Sequence, residues 1–343
     1  MGARPGPRNL ITDVAGLRVG QAEDAGVRTG VTVIIADQRA VCACDVRGGG
    51  PGTRETDALR PDTLVDAVDA VVLSGGSVYG LAAGDGVTAV LGARQIGFRL
   101  SAAASAPPSP IVPAAILYDL GNGGAKDWGE DPPYRDLGKA ALAAASETFT
   151  LGTAGAGYGA MAGRLKGGIG SASIIAEDGV TVGAITEVNS FGSVVAPGGR
   201  TFWAAPFEID GEFGGLGAAG LSARSDDWGL AKGSALGASS LRANTTLACV
   251  ATDATLTVAE AQRLAIMAHD GLARAIRPAH APVDGDVVFA LATGRRPISD
   301  PRHVAITRLG ALAADCLARA IARGVHAAAA WPGSTTPCWR DLA

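Results

Sequence analysis

The sequence has little charge and few aromatic residues. Charged residues make up 18% and aromatic residues 5% of its 343 positions, whereas roughly 25% of an average soluble protein is charged. Lysine and arginine together number 29 and the acidic residues 33, which leaves a formal net charge of −4. Since nucleic acids and anionic membranes attract proteins with a basic excess, we expect neither of them as a partner.

Other common features are missing as well. The five cysteines form no Cys-x-x-Cys pair and no cluster with histidine, which predicts reduced thiols in a cytoplasmic protein and no metal site. The first residues, MGARPGPRNLITD, contain no apolar stretch of the kind found in signal peptides. No apolar run approaches the roughly 18 residues needed to span a bilayer. The Walker A phosphate loop is also absent, and we predict that the protein uses no cofactor.

Glycine, in contrast, is abundant. It supplies 49 of the 343 residues, roughly twice the usual share of about 7%. The glycines follow no Gly-X-Y period, which excludes a collagen-like chain. Because 48% of the residues are hydrophobic, the chain can bury enough apolar surface to fold, which excludes intrinsic disorder. We therefore expect a globular protein, part of whose apolar surface is buried between subunits.

No charged or proline-rich linker divides the chain and no repeat is visible, so we predict a single domain over residues 1–343. Residues 31–46 predict two strands. Thr257 and Glu260 have the spacing of a capping box at the start of a helix, and a second amphipathic helix is expected to end at Gly324. Strands and helices mix without a strict alternation, which favours an α+β fold of two packed sheets with helices outside.

One glycine-rich string resembles a nucleotide site. Residues 155–160 (GAGYGA) match the Gly-x-Gly-x-x-Gly/Ala pattern of dinucleotide-binding sites, and Glu177 follows about 20 residues later. The motif should open a helix, but further glycines follow closely in AMAGRLKGGIG, and each glycine costs a helix about 1 kcal/mol. We attribute the match mainly to composition and retain an NAD-linked oxidoreductase as an alternative function.

A second candidate lies where a small, polar segment (residues 229–243) runs into the strand NTTLACVATDA. We expect this segment to be exposed and flexible. Thr245 has an ordinary interpretation as a strand residue, which the residues alone favour. The other interpretation is self-cleavage, in which the Thr245 hydroxyl attacks the Asn244 carbonyl and the resulting ester is hydrolysed. The new N-terminal amine, with a pKa near 7.7–8.0, then serves as a general base without any histidine.

Eight segments in order along nearly the whole chain resemble one family. The family is that of the L-aminopeptidase/D-Ala-esterases (DmpA-like, peptidase S58), N-terminal nucleophile hydrolases that also include β-aminopeptidases and the nylon-oligomer hydrolase. The segments are LITDVAGLRVG, RGGGPGTRETD, VVLSGGSVYGLAA, IVPAAILYDL, LKGGIGSAS, NTTLACVATDA, AHDGLARAIRPAH and DGDVVFALATG.

The resemblance implies a fold and a processing step. The fold is an αββα-type four-layer sandwich (DmpA/ArgJ-like). Self-cleavage before Thr245 would divide the chain into residues 1–244 and 245–343, and the cleaved units would assemble into a homo-oligomer, here expected to be a tetramer. The implied activity is hydrolysis of amide bonds in short peptides or amino-acid amides through an acyl-enzyme.

The resemblance also implies roles for single residues. Thr245 matches the nucleophile, and Asn189 matches the asparagine that stabilises the oxyanion. Lys166 matches a lysine near the site of the nylon-oligomer enzyme, and Tyr118 matches a tyrosine that hydrogen-bonds at the reacting centre. Taken without the family, Asn189 has an ordinary interpretation as a turn residue, Lys166 as a solvated loop cation and Tyr118 as a core tyrosine.

Asp284 and Asp286 match the paired polar positions that orient the nucleophile and its amine, although Asp-Gly-Asp is also a common tight turn. The aminopeptidase members have serine as nucleophile and a Ser-x-Glu pair, whereas this chain has Thr245 and Asp-x-Asp, as in the nylon-oligomer enzyme. The preference for L-, D- or β-amino acids and the choice between exo- and endo-cleavage therefore stay open. A self-cleaving but non-catalytic binding protein is a further alternative.

Overall fold

A computed structural model describes residues 3–101, 103, 105–219, 221–223, 227–232 and 244–343. Most of the segment expected to be flexible, residues 233–243, lies outside these described residues. In the described part, no helix is both long and apolar enough to cross a membrane.

Strands and helices both contribute extensively. The strands are β1 (Leu17–Asp24), β2 (Thr29–Val46), β3 (Thr53–Arg54), β4 (Val68–Ser74), β5 (Ala114–Ile116), β6 (Met161–Ala162), β7 (Leu165–Lys166), β8 (Gly168–Ile175), β9 (Thr181–Asn189), β10 (Thr245–Ala254) and β11 (Val287–Arg296). The helices are α1 (Ala82–Ala93), α2 (Tyr134–Ala143), α3 (Val258–Ala275) and α4 (Arg302–Ala327). The predicted capping box opens α3, because Thr257 and Glu260 exchange main-chain to side-chain hydrogen bonds.

One long strand, β2, belongs to two sheets. Its first half pairs with β1 and β4, and its second half pairs with β11. The prediction of two strands in residues 31–46 was therefore wrong. The exposed residues Asp37 and Gln38 lie where the pairing with β4 shifts register, between Ile35 and Ala40, and there the strand passes from one sheet to the other without ending.

The two sheets pack face to face and each carries helices on its outer face. The first sheet has the order β3-β5-β4-β2-β1 and the second the order β2-β11-β10-β9-β8. A buried cluster between them includes Leu73 from the first sheet and Phe289 from the second. A further cluster joins the second sheet to α3 and α4, and another joins the first sheet to α1 and α2. This is an α+β sandwich with the predicted αββα layering.

Helix α4 lies very close to the second sheet. A Cβ atom added to Gly170 on β8 would clash with the main-chain carbonyl of Ala320 on α4. Gly324 meets the same part of β8, where its own added Cβ would lie 2.8 Å from the Gly170 nitrogen. The prediction that Gly324 ends the helix was wrong, because the helix continues to Ala327 and uses this glycine for close packing.

The pairing of the central strands in the second sheet brings three strand ends together. Strand β10 is antiparallel to β9, with Thr245 opposite Asn189, and parallel to β11, with Leu247 opposite Val287. The end of β9, the start of β10 and the residues that lead into β11 thus meet at one edge. Residues 155–159 form a short 3-10 turn followed by β6, and not the helix that a dinucleotide site requires.

The contact between α4 and β8 can be tested with Gly170→Ala. Because the added methyl meets a helix carbonyl that cannot move independently, we expect the free energy of unfolding to fall by about 1–3 kcal/mol or more. Denaturant unfolding of the variant and the wild type measures this change. Gly199→Ala is the control, since nothing lies within 4 Å of a Cβ at that position; equal losses from the two substitutions would contradict the proposed packing constraint.

Candidate active site

Thr245 is the first residue of β10 and is almost completely buried, with 3% of its surface exposed. Its hydroxyl group donates to the carbonyl oxygen of Asn244, so it lies against the peptide group that self-cleavage would attack. On the β11 side, a Cβ added to Gly285 would lie 2.5 Å from Thr245 Oγ1. The missing side chain at Gly285 therefore leaves the space that the Thr245 hydroxyl occupies.

Asn189 faces Thr245 across the β9–β10 pair. Its Oδ1 accepts from the Met161 main-chain nitrogen at 2.9 Å and lies 3.4 Å from the Lys232 ammonium. Its Nδ2 donates to the main-chain carbonyl of Tyr118 at 3.1 Å. Hydrogen bonds thus hold both the oxygen and the nitrogen of the side-chain amide. Asn189 lies beside Thr245, the first residue of β10.

Asp286 holds the start of β10. Its Oδ1 accepts from the Thr246 nitrogen at 2.8 Å, and its Oδ2 accepts from the His280 main-chain nitrogen at 3.0 Å. The His280 Nδ1 lies 2.8 Å from the same oxygen. Sequence reasoning assigned no role to any histidine and missed His280, whose only signal was its position at the end of the segment AHDGLARAIRPAH.

Asp284 is buried two residues before Asp286 and is less well satisfied. Its Oδ1 accepts from the Phe191 nitrogen at 3.3 Å, while its Oδ2 has no hydrogen-bond partner in the part of the chain that the structure describes. Burial, reinforced by the neighbouring Asp286 charge, raises the pKa of Asp284 to about 8. This carboxyl group therefore exchanges its proton near neutral pH, where general acid–base catalysis is most effective.

Lys232 was not predicted. Its main-chain nitrogen donates to the Phe191 carbonyl at 2.9 Å, and its ammonium donates to the Asn189 main-chain carbonyl at 3.2 Å. Burial lowers the pKa of this ammonium to about 7, and the attraction of Asp284 acts against that fall. The sequence offered no signal for this contact, because Lys232 lies in a small, polar segment that was expected to be exposed.

Lys166 is fully buried, so the interpretation as a solvated loop cation was wrong. Its ammonium donates to the carbonyls of Gly157, Ala160 and Gly167 at 3.2, 3.0 and 2.6 Å. It also lies 4.8 Å from the centre of the Trp331 ring. Burial lowers the pKa of Lys166 to about 7. These contacts fix the turn that precedes Met161. The Met161 nitrogen donates to the Asn189 amide, so this turn supports the position of Asn189.

The predicted site residues do not all meet at Thr245. Asn189, Asp284 and Asp286 border the start of β10 through register and hydrogen bonds. Lys166 contacts main-chain carbonyls of the supporting turn, and Tyr118 contributes a main-chain carbonyl to the Asn189 amide. Both therefore support the site through Asn189 in this structure.

A further buried carboxyl group, that of Glu187, lies on the same face of β9 as Asn189. It is completely buried, and neither of its carboxylate oxygens has a hydrogen-bond partner among the described residues. Burial raises its pKa to about 8, an effect that the nearby Thr32 hydroxyl moderates. Two carboxyl groups with raised pKa values, Glu187 and Asp284, thus lie around the strand end that carries Asn189.

Comparisons with known proteins agree on one family. Residues 9–337 match the model of Peptidase family S58. A Mycobacterium tuberculosis protein described as an uncharacterised aminopeptidase is 44% identical over 352 residues, covering 97% of this chain and 98% of its own. A 6-aminohexanoate-oligomer endohydrolase of a Kocuria species is 28% identical over 324 residues, covering 91% of this chain and 84% of its own.

A solved structure shares the fold. The L-aminopeptidase/D-Ala-esterase/amidase of Ochrobactrum anthropi, described as a variant of the Ntn hydrolase fold, superimposes with a TM-score of 0.71. The match covers 100% of this chain and 92% of the other, at 21% sequence identity. In the described residues of the present chain, no group of three or more His, Cys, Asp or Glu side chains is arranged to hold a metal ion.

The state of Glu187 can be tested through the pH dependence of stability. Its pKa in the folded chain, about 8, exceeds the value of about 4.3 in an unfolded chain. The stability contributed by its proton is therefore complete below about pH 4 and is lost as the pH rises towards 8. We expect Glu187→Gln to remove this loss, so that the variant gains on the wild type by up to about 1.4 kcal/mol per pH unit.

Denaturant unfolding at pH 5, 7 and 9 measures the difference between the two proteins. Glu177→Gln is the matched control, because Glu177 is exposed. Parallel stability curves for Glu187→Gln and the wild type would show that Glu187 is ionised throughout this range.

Proposed function

The chain belongs to peptidase family S58, and from this premise we propose that it is a hydrolase which cleaves itself before Thr245 and then hydrolyses amide bonds of short peptides or amino-acid amides. One observation carries the proposal: the hydroxyl of Thr245 lies against the Asn244 carbonyl, at a strand start bordered by Asn189, Asp284 and Asp286. The single domain of residues 1–343 would thereby become two chains, residues 1–244 and 245–343.

Self-cleavage begins with an N→O acyl shift. Thr245 Oγ attacks the carbonyl carbon of Asn244, the bond from that carbon to the Thr245 nitrogen breaks, and the hydroxyl proton ends on the departing amine. Water then hydrolyses the ester, which gives an Asn244 carboxylate, a free Thr245 hydroxyl and a free α-amine.

This first reaction needs a proton acceptor other than Thr245 itself. In the uncut chain the Thr245 nitrogen belongs to a peptide bond and has no basic lone pair. Asp284 is the suited group, because burial brings its pKa to about 8 and its neighbour Gly285 abuts Thr245 Oγ1. A carboxyl group with a pKa this close to neutrality can accept the hydroxyl proton and return it to the amine.

In the cleaved enzyme the free α-amine takes over as general base, since its ordinary pKa lies near 7.7–8.0. Thr245 Oγ attacks the substrate carbonyl, the leaving amine departs with a proton, and water hydrolyses the resulting ester. The Asn189 amide donates to the developing oxyanion. Asp286, through its bond to the Thr246 nitrogen, keeps the new chain end in place.

The substrate class follows from two relatives and two residue types. One relative is described as an aminopeptidase and another acts on 6-aminohexanoate oligomers. The chain has Thr245 as its proposed nucleophile and an Asp-x-Asp pair, as the nylon-oligomer enzyme does. These residues favour linear amides as substrates over a strict preference for L-, D- or β-amino acids. A panel of aminoacyl p-nitroanilides, amino-acid amides and 6-aminohexanoate oligomers separates these classes.

The proposal includes assembly and location. Large apolar side chains are exposed on the protomer, among them Leu64 (72%), Leu100 (76%) and Val304 (56%), and such surface favours subunit contacts. We expect a homo-tetramer of cleaved units in the cytoplasm, which light scattering and cell fractionation would measure.

Self-cleavage predicts two fragments in the wild type, residues 1–244 and residues 245–343, with a combined mass one water greater than that of the uncut chain. Thr245→Ala should give one chain because no hydroxyl remains, whereas Thr245→Ser keeps the nucleophile and should still be cut. Intact-mass analysis of the purified proteins distinguishes these outcomes. A wild type that is active as one uncut chain would contradict the mechanism.

Loss of the oxyanion donor predicts a large effect on kcat. We expect Asn189→Asp, which keeps the acceptor but lacks the amide donor, to lower kcat for p-nitroanilide hydrolysis by about 10²–10³-fold in the cleaved fraction. Gln38→Ala, on an exposed stretch of β2, is the control, and EDTA should leave the wild-type rate unchanged. A cleaved wild type that turns over no member of the panel would instead indicate a binding protein.

A further inference from the structure

The last described residues before the junction, 227–232, are firmly held against the rest of the protein. The Leu230 carbonyl accepts from the Arg164 nitrogen at 2.8 Å, and the Lys232 nitrogen donates to the Phe191 carbonyl at 2.9 Å. The Trp228 ring meets the Phe191 ring edge-on, with 6.2 Å between the ring centres. These contacts fix the main chain that carries the Lys232 side chain.

The Lys232 ammonium lies between two groups of the candidate site. It is 3.2 Å from the Asn189 carbonyl oxygen and 3.4 Å from Asn189 Oδ1, and the Asp284 carboxylate attracts it electrostatically. Phe191 links the two sides, since its nitrogen donates to Asp284 and its carbonyl accepts from Lys232. One lysine therefore interacts with both the proposed oxyanion donor and the proposed proton acceptor.

We propose that Lys232 is a positioning residue for both reactions, which acts by holding the Asn189 amide and by setting the charge of Asp284. The proposal rests on the proposed function, because Asn189 and Asp284 act in it. Lys232 lies on the same side of the cut as Asn189 and Phe191, so it stays with them in the 1–244 chain after cleavage.

The charges around Asp284 explain why a cation is needed there. Asp286, with His280 bonded to it, faces Asp284 from the loop before β11 and raises its pKa, whereas Lys232 faces it from residues 227–232 and lowers it. The glycine loop after β2 presents main-chain groups, and the side chain of Arg47 at its start is bonded to Asp45. Without the Lys232 charge, burial and Asp286 would keep Asp284 protonated to a higher pH, where it cannot accept a proton.

The contact with Asn189 has a separate effect. An amide side chain can turn over and exchange its oxygen and nitrogen, and only one orientation presents N–H donors towards the reacting centre. The Met161 nitrogen and the Lys232 ammonium are both donors to Oδ1, so both favour that orientation. Lys232→Gln keeps a donor at this position but removes the charge, and therefore separates the two effects.

The electrostatic coupling can be measured without any catalysis. In a Thr245→Ala background the nucleophile is absent, and the free energy of unfolding is compared for Lys232→Gln, Asp284→Asn and the double substitution between pH 5 and 9. We expect clear non-additivity around neutral pH, because the Lys232 and Asp284 charges attract each other only when both are present. The common background cancels the titration of Glu187 and Lys166.

The direction of the pH effect on stability follows from the raised pKa of Asp284. The Asp284 pKa is raised in the folded chain, so its stabilising contribution is lost as the pH rises through about 8. Removing the Lys232 charge raises that pKa further, and the loss then continues to a pH higher by about one unit or more. Additive substitutions with parallel curves would overturn the proposal.

The catalytic arm uses the cleaved enzyme and the self-cleavage rate. Lys232→Gln should move the acid limb of the self-cleavage rate profile upward by about one pH unit or more, because Asp284 is the proton acceptor of that reaction. In the cleaved enzyme the same substitution should lower kcat and leave KM nearly unchanged. Lys232→Arg keeps the charge and should restore the limb. Lys139→Met, on the outer helix α2 where Lys139 pairs with Asp136, is the control and should match the wild type.

Two results of the catalytic arm would also overturn the proposal: a Lys232→Gln self-cleavage profile that superimposes on that of the wild type, or an Arg variant as impaired as the Gln variant. If Lys232→Gln fails to fold, the Arg variant and the Asp284→Asn self-cleavage profile decide alone, since Asp284→Asn removes the proton acceptor and should slow self-cleavage and abolish its acid limb. A wild type that neither cuts nor hydrolyses would refute the proposed function, while the Thr245→Ala cycle would still decide the coupling.

Discussion

The pairing of β10 with an antiparallel strand on one side and a parallel strand on the other determines where Thr245, Asn189 and Asp286 lie. Asn189 faces Thr245 in the β9 register, and the β11 register brings Asp286 to the Thr246 nitrogen. Because side chains alternate between the faces of a sheet, a slip of one residue in the β9–β10 pairing would turn Thr245 away from Asn189. The packed cores on both sides of this sheet prevent such a slip, since it would expose their apolar side chains.

A second constraint is the burial of ionisable groups in a chain with few charges. Lys166 and Lys232 have pKa values lowered to about 7, and Glu187 and Asp284 have values raised to about 8. Burial is the main cause of all four pKa shifts. Near neutral pH each of these groups is therefore close to half protonated. A small change in the neighbouring charge is then enough to move a proton, which a surface carboxylate or ammonium does not allow.

The extent to which the sequence predicts the molecule differs between its parts. Local patterns predicted the start of α3 at the Thr257 capping box and the failure of residues 155–160 to open a helix, because both depend on adjacent residues. They did not predict that β2 serves both sheets or that α4 continues through Gly324, because tertiary packing decides each of these. The positions of Lys232 and His280 also depend on contacts distant in sequence, whereas Asn189 and Asp286 were found through the family resemblance.

The glycine excess has a physical basis at the site itself. Gly50 donates to the Asp284 carbonyl at 2.7 Å and Gly48 donates to the Asp286 carbonyl at 3.3 Å, so the loop after β2 holds the main chain of residues 284–286. A Cβ atom on Gly48 would clash with the Asp286 nitrogen, and one on Gly285 would occupy the place of the Thr245 hydroxyl. Main chain packed this closely against main chain leaves no room for further side chains between the glycine loop, residues 284–286 and the Thr245 hydroxyl. The few charges of this protein therefore act at short range, in a space that the glycines keep free of other side chains.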